Sequence, residues 1–266
     1  GIFGDRASNF AAENSDLMII LGSRLSIPQT GYKTMNFAKN SRKIIVDICV
    51  NELRKKKLSN INLQYKNDLN FFLSEFNKFI KNKKIKKFHK WLRLIHVWKK
   101  KYPVMEKKYL KDRGINSFYF IDTLSKSLNG NETIVTDMGT SFTCTMQSLK
   151  IQNCNKQRLF TSSGLASMGF GLPGAIGAYF ADRKNNIICI TGDGGFMFNM
   201  QELQTISHYK IPMKIFILEN KGYLTMKLMQ KKNFNRLVGS NKASGVSFPE
   251  FKKIAKSFNF KYFKIT

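Results

Sequence analysis

The residues best equipped for chemistry are Asp193 and Asn220, each placed just after an apolar run. Ile187-Ile188-Cys189-Ile190-Thr191 leads into Gly192-Asp193-Gly194-Gly195, and Met213-Lys214-Ile215-Phe216-Ile217-Leu218 leads into Glu219-Asn220-Lys221-Gly222-Tyr223. The first turn offers a carboxylate among glycines; the second offers an amide and a flexible backbone at Gly222. A hard cation such as Mg2+ takes near-octahedral oxygen ligands, usually one or two from protein alongside phosphates and water. Asp193 can supply charge, Asn220 a neutral amide oxygen, and the Gly222 carbonyl a third ligand. The glycines at 192, 194 and 195 let backbone N–H groups approach phosphate closely. The chemistry expected is a diphosphate held through a divalent metal. Gly-Asp-Gly alone fits an ordinary strand turn with Asp193 as a cap, but the second turn 27 residues later makes the pair far more specific.

In a right-handed β-α-β unit both turns lie at the carboxyl edge of one parallel sheet, where α/β folds bind ligands. Between them a helix is expected to start near Asn199, with Glu202 placed as in a capping box and the positive end facing the anion. Upstream, Glu132-Thr133-Ile134-Val135-Thr136-Asp137 reads as a short strand leading into Met138-Gly139-Thr140-Ser141, after a helical pattern from Phe118 to Leu128. The glycine-rich run from Thr161 to Ala178 follows, its second half small and apolar enough for a closely packed helix. Downstream, Phe251, Ile254, Ala255 and Phe258 fall at helical spacing, with Pro249 near the first turn. A strand-like run precedes Thr266.

Residues 1–80 form a separate unit, with buried strands at Asp16–Gly22 and Lys43–Ile48 and a helix opening at Asn67-Asp68 and carrying Phe71, Phe72, Phe76, Phe79 and Ile80. Strands alternating with helices imply parallel sheets. The fold expected is α/β: two parallel-sheet domains, a partial Rossmann-like domain at 1–80 and a diphosphate- and metal-binding domain at 116–266, truncated at its C-terminus. Residues 81–115 are a basic connector, in which Phe88, Trp91, Leu92, Ile95 and Trp98 share one helix face that packs on the domain it leaves. An opening on Gly1 instead of Met, and a stop at Thr266, read as cuts at both ends of a longer chain.

Lys and Arg number 45 against 17 Asp and Glu, a net charge of +28. Such a balance invites a nucleic-acid reading. The lysines, however, are scattered through almost every segment and form no stripe with interleaved aromatics. Lys, Asn, Ile and Phe are all abundant, as an AT-rich coding bias produces, and no nucleic-acid partner is expected. No apolar run approaches the roughly 20 residues that cross a bilayer, nor is a signal peptide visible, so no membrane partner is expected either. The four cysteines, at 49, 144, 154 and 189, form no C-x-x-C pair and read as buried free thiols of a reducing cytoplasm. One rival motif exists. Gly169-Phe170-Gly171-Leu172-Pro173-Gly174 matches the dinucleotide fingerprint, yet no clear strand runs into Gly169 and Pro173 sits inside it.

The segment Gly192 to Asn220 resembles the thiamine-diphosphate signature, which opens Gly-Asp-Gly and closes Asn-Asn at about this spacing. Nearly the whole chain resembles the large, catalytic subunit of acetolactate synthase and its near relatives, with 81–115 the poorest part. Gly4-Asp5-Arg6-Ala7-Ser8-Asn9, Asp16 to Arg24 and Val46-Asp47-Ile48 resemble the family's middle domain; Gly164 to Gly177 and Gly192 to Tyr223 resemble its diphosphate-binding domain. The resemblance implies that Asp193, Asn220 and the Gly222 carbonyl hold Mg2+. It implies that Gly164, Gly192, Gly194, Gly195 and Tyr223 line thiamine diphosphate, with Gly139, Thr140 and Ser141 at the far end of the diphosphate. Met168 matches the methionine that props the cofactor into its bent, self-deprotonating shape, although a plain core methionine has the same composition. Such a cofactor attacks a 2-keto acid and serves as electron sink for decarboxylation.

Three departures qualify the resemblance. Glu219 replaces the first Asn of the closing pair, whereas the ligand, the second, is kept as Asn220. Leu25-Ser26-Ile27-Pro28 stands where flavin-binding members have Phe-Asp-Asp-Arg, which puts FAD in question. The glutamate that activates the cofactor belongs to an N-terminal domain absent from these residues, so the chain alone is expected to turn nothing over. The implied activity is decarboxylation of a 2-keto acid with carboligation, acetolactate formation for branched-chain amino acids or a related carboligation in surface-sugar biosynthesis. The implied full-length protein is a cytoplasmic homodimer or tetramer. Lys221 to Asn241 would be a lid, with Met226, Leu228 and Met229 as candidates for a substrate wall.

Overall fold

Burial of alternating apolar runs settles the local structure of both halves. In the computed structural model, residues 1–54, 58–84, 87–162 and 164–266 are described, and they divide into two compact units, Gly1–Val104 and Met105–Thr266. Ser163 of the glycine-rich run and residues 85–86 of the basic connector fall outside the described residues.

The first unit runs α1 (Arg6–Glu13), β1 (Leu17–Leu21), α2 (Ile27–Thr30), β2 (Arg42–Asp47), α3 (Val50–Arg54), β3 (Ile61–Lys66), α4 (Leu69–Ile80) and α5 (His89–Lys101). Its sheet is parallel throughout, in the order β1-β2-β3. Both strands expected from the sequence form. β3 was not legible as a strand, because its polar residues Asn62, Gln64 and Lys66 alternate along an exposed edge. Ile20, Ile45, Leu53 and Leu58 build the core. α4 begins where expected, with the Asp68 carboxylate accepting the N–H groups of Asn70 and Phe71. α5 packs on α1 through Phe10, whose ring lies 5.8 Å from Trp98 and 5.2 Å from Tyr102. Leu92 and Phe88, assigned to the same face, are exposed. The half-buried stripe instead continues from Trp98 to Tyr102.

The second unit runs α6 (Ser117–Lys126), β4 (Glu132–Thr136), α7 (Thr140–Ser148), β5 (Arg158–Phe160), α8 (Gly171–Ala181), β6 (Asn186–Gly192), α9 (Asp193–Phe198), α10 (Leu203–His208), β7 (Met213–Leu218), α11 (Leu224–Phe234) and α12 (Phe251–Ser257). Its four strands are parallel in the order β5-β4-β6-β7. Consecutive parallel neighbours need a crossover, and α9 with α10 supplies it between β6 and β7. β6 is buried from Ile187 to Thr191, as expected of a central parallel strand. One core packs Val135, Leu172, Ala175, Cys189 and Phe251 on one face of this sheet. The other joins Ile121, Ile134, Cys144, Ile188 and Ile190. α8 lies so close that a Cβ on Gly174 would stand 2.8 Å from the Phe170 ring and 3.1 Å from Val135.

Three expectations are corrected. The helix directly after the first turn starts at Asp193 with Gly192 as its N-cap, and the start expected near Asn199 is a second one, a 3-10 turn at Met200–Glu202 that runs into α10. Asn199 forms no capping box: its Oδ1 accepts the Gln201 side-chain amide at 3.2 Å and its Nδ2 donates to the Gly169 carbonyl at 2.8 Å, while Glu202 accepts the Thr205 hydroxyl at 2.9 Å. The run before Thr266 forms no strand, since residues 260–266 pair with no sheet edge. Cys49 and Cys154 are exposed; only Cys144 and Cys189 are buried. Cys49 lies beyond the end of β2, where its N–H is held by the Asp47 carboxylate at 2.8 Å as the chain turns outward.

Candidate functional site

Strand β6 ends at Gly192 directly beside Leu218, the last residue of β7, so the register brings the turns carrying Asp193 and Asn220 together. Asp193 is 1 % exposed. Its Oδ1 accepts the Gly194 N–H at 2.8 Å, and its Oδ2 accepts the N–H groups of Asn220 at 3.0 Å and Gly222 at 3.2 Å. One carboxylate therefore ties both turns into a single rim. The Asn220 Oδ1 is buried and has no hydrogen-bond partner. Leaving a buried amide oxygen unpaired costs about 1–3 kcal/mol, so an acceptor held this way points to something absent from the protein atoms. A carboxylate, an amide oxygen and backbone carbonyls are hard oxygen donors suited to Mg2+. Among the described residues no group of three or more His, Cys, Asp and Glu could hold a metal.

The glycines divide into two kinds. Around Gly139, Gly164 and Gly192 a Cβ would meet open space, which leaves the neighbouring backbone accessible to a ligand. Gly194 and Gly195 are closely packed instead. A Cβ on Gly194 would lie 2.4 Å from the Tyr223 ring and 3.0 Å from the Met168 methyl, and one on Gly195 would lie 2.5 Å from the Asp137 carboxylate. Met168 and Tyr223 are thereby brought onto the same glycine, beside the Asp193–Asn220 rim. At Gly222, φ is +153°, and a Cβ would stand 2.3 Å from the Ser240 carbonyl.

Gly139, with φ of +88°, caps α7, and Thr140 and Ser141 open that helix at the end of β4. The Ser141 hydroxyl turns inward to the Asp137 and Met138 carbonyls, so its side chain is committed to the turn and Thr140 is the more accessible of the two. Gly164 is exposed on the loop between β5 and α8.

Asp137 is the organising residue that sequence reasoning passed over. Its carboxylate, 1 % exposed, accepts N–H groups from Met138 at 2.7 Å and Gly169 at 2.9 Å and the Thr191 hydroxyl at 3.1 Å. These bonds fasten the turn after β4, the start of α8 and the end of β6, which places Met168 next to Gly194. Lys227 and Ser240 were also missed. The Lys227 ammonium donates to the Asn220 carbonyl at 3.1 Å, and the Ser240 carbonyl accepts the Tyr223 N–H at 2.9 Å. An antiparallel bridge between Gly222 and Asn241 closes the base of the excursion that carries α11. Met226, Leu228 and Met229 on that helix are exposed. Beneath the sheet edge, burial together with the Asp137 charge pushes the Cys189 thiol far up, and burial pushes Cys144 up to about 11.

Residues 137–266 match the family described as thiamine pyrophosphate enzyme, C-terminal TPP binding domain. Over its whole length the chain is 34 % identical to the acetolactate synthase large subunit of Cyanidium caldarium, covering 44 % of that protein. It is 33 % identical to the isozyme 2 large subunit of Escherichia coli K12, over 83 % of this chain and 38 % of that one. It is also 33 % identical to the chloroplastic acetolactate synthase of Arabidopsis thaliana, over 83 % of this chain and 32 % of that one. The chain thus spans less than half the length of the curated relatives it matches. Similar to these enzymes over its whole length, the chain belongs to the thiamine-diphosphate-dependent enzyme family, and its residues 137–266, which hold β5, β6, β7 and their carboxyl-edge turns, match that family's C-terminal cofactor-binding domain.

Proposed function

We propose that the protein to which this chain belongs decarboxylates a 2-keto acid and joins the product to a carbonyl acceptor, as an acetolactate synthase does. Thiamine diphosphate and Mg2+ would be its cofactors. The observation that carries the metal is the buried, unpartnered Asn220 Oδ1 beside a carboxylate that orders both turns. Asp193, Asn220 and the Gly222 carbonyl would hold the cation. Gly192, Gly194, Gly195 and Tyr223 would line the diphosphate nearest it, while Gly139, Thr140 and Ser141 would meet its other end and Gly164 the loop above. Met168, packed against Gly194, would support the thiazolium side. When bound, the cofactor supplies the nucleophile and electron sink for the chemistry. The chain's own part is to fix the anion, exclude water and orient the ring.

The first unit would be part of the family's middle domain. The α11 excursion would cover the cofactor, presenting Met226, Leu228 and Met229 toward a 2-keto acid; their exposure supports that role. A dimer or tetramer of the complete protein and a cytoplasmic location belong to the same proposal, and the free thiols at Cys49 and Cys154 support a reducing compartment. No helix among the described residues is long and apolar enough to cross a membrane.

Isothermal titration of the chain with thiamine diphosphate tests the site. Binding is expected only with Mg2+ present, and saturation at one equivalent of metal. Binding that is indifferent to chelation of the metal would sink the Asp193–Asn220 assignment.

A further inference from the structure

Lys227 is the charged group at the cation rim that the site chemistry leaves unused. It lies in the first turn of α11 and is half-buried. Its Nζ donates to the Asn220 carbonyl and also stands 3.2 Å from where a Cβ on Gly222 would be. The ammonium is therefore folded back over the 220–222 turn. A lysine ordinarily bends its stem along the surface and keeps its ammonium in water, whereas this one is drawn back onto a backbone carbonyl. Among the described residues Lys227 has no carboxylate partner. Two of its three N–H donors remain available. Lys221, inside the same turn, is exposed.

Charge balance decides what those donors serve. A diphosphate ester carries more negative charge than one divalent cation cancels, and Asp193 adds another. The rim's remaining ligands, the Asn220 amide oxygen and the Gly222 carbonyl, are neutral. A cation beside them is attracted to the metal–diphosphate complex, and toward a bare metal ion the same cation is repulsive.

We propose that Lys227 is a cofactor-anchoring residue whose ammonium, held over the 220–222 turn, binds the anionic metal–diphosphate group. It rests on the thiamine-diphosphate site and adds to it a residue with an electrostatic signature of its own. Removal of the charge weakens diphosphate binding while leaving bare cation binding unchanged or tighter.

The experiment compares the chain with its K227M and K227R variants. Thiamine diphosphate with Mg2+ is titrated calorimetrically at two salt concentrations, and Mn2+ alone is titrated by electron paramagnetic resonance. In K227M the diphosphate affinity should fall about tenfold or more and its salt dependence should flatten, with Mn2+ affinity equal or higher. K227R, which keeps the charge, should retain most of the affinity. Equal loss of both ligands in K227M would show a mere structural tie to the Asn220 carbonyl and overturn the proposal. Unchanged diphosphate affinity in K227M would overturn it too. If the unmodified chain binds no thiamine diphosphate with Mg2+ present, the site assignment itself falls and Lys227 with it, an outcome distinct from normal binding by both forms.

Discussion

Asn220 separates its two roles by atom. Its backbone N–H completes the Asp193 carboxylate, and its side-chain oxygen is buried without a partner. Replacement by alanine keeps the N–H and removes the orphaned oxygen, so Asn220→Ala should leave the metal-free melting temperature unchanged or raise it slightly, yet abolish measurable Mn2+ binding. Thermal denaturation and metal titration on one preparation read both; a large loss of stability would mean the side chain is structural. Asp137 is the opposite case. Its carboxylate accepts donors from three segments, so Asp137→Asn would set an amide against N–H groups and should destabilise the second unit by about 2–3 kcal/mol, measured by urea unfolding. Asp193 and Asn220 were legible because each follows its own apolar strand within a recognisable spacing. Asp137 was not, because its partners Gly169 and Thr191 lie 32 and 54 residues away, and no local pattern marks a carboxylate whose donors arrive from so far along the chain.

At the scale of elements, the two kinds of glycine separate folding from binding. Gly194→Ala would drive a Cβ into the Tyr223 ring and Met168, so overpacking should cost about 1–3 kcal/mol and weaken cofactor binding as well. Gly192→Ala meets nothing within 4 Å and adopts φ of −85°, which any residue tolerates. Its stability should stay close to that of the unmodified chain while thiamine diphosphate affinity drops, because the added methyl occupies space left for the ligand. Equal affinity in Gly192→Ala would remove that glycine from the site. The strands β1, β2, β4, β6 and β7 were readable as apolar runs bounded by turns, although β1 is buried only at Ile20 and β7 is half-buried along most of its length. β5, three residues long at a sheet edge, carries too little pattern to be seen. The start of α9 was displaced for a different reason: Asn199 and Glu202 look like a cap locally, but tertiary contact commits Asn199 to Gly169, and the helix begins earlier on the glycines themselves.

For the whole molecule the dominant sequence feature is an excess of cations, and the few carboxylates that are placed well acquire more weight. Asp122, nearly buried on α6, receives Lys126 at 2.6 Å and Lys150 at 2.8 Å, the second reaching across from beyond α7. Hydrogen bonds from Lys126 and then Lys150 hold its carboxyl below the ordinary carboxylate range despite desolvation. A carboxyl depressed in the folded state stabilises the fold above its unfolded pKa, and that contribution fades as pH falls through the folded pKa. The second unit should therefore lose thermal stability on acidification through and below the usual carboxylate range, and Asp122→Asn should remove part of that slope while lowering stability at neutral pH. Melting temperatures of both proteins across that range provide the check, with parallel curves counting against the Asp122 cluster. The thiols offer a second whole-molecule readout that titrates in the other direction. With burial pushing Cys144 up to about 11 and Cys189 higher still, raising the pH to 9 leaves both protonated and enclosed. A thiol reagent at that pH should label Cys49 and Cys154 rapidly in the native protein and reach Cys144 and Cys189 only on unfolding. Labelling all four cysteines at one rate without denaturant would mean that the sheet-edge core beneath the site opens far more readily than its packing implies.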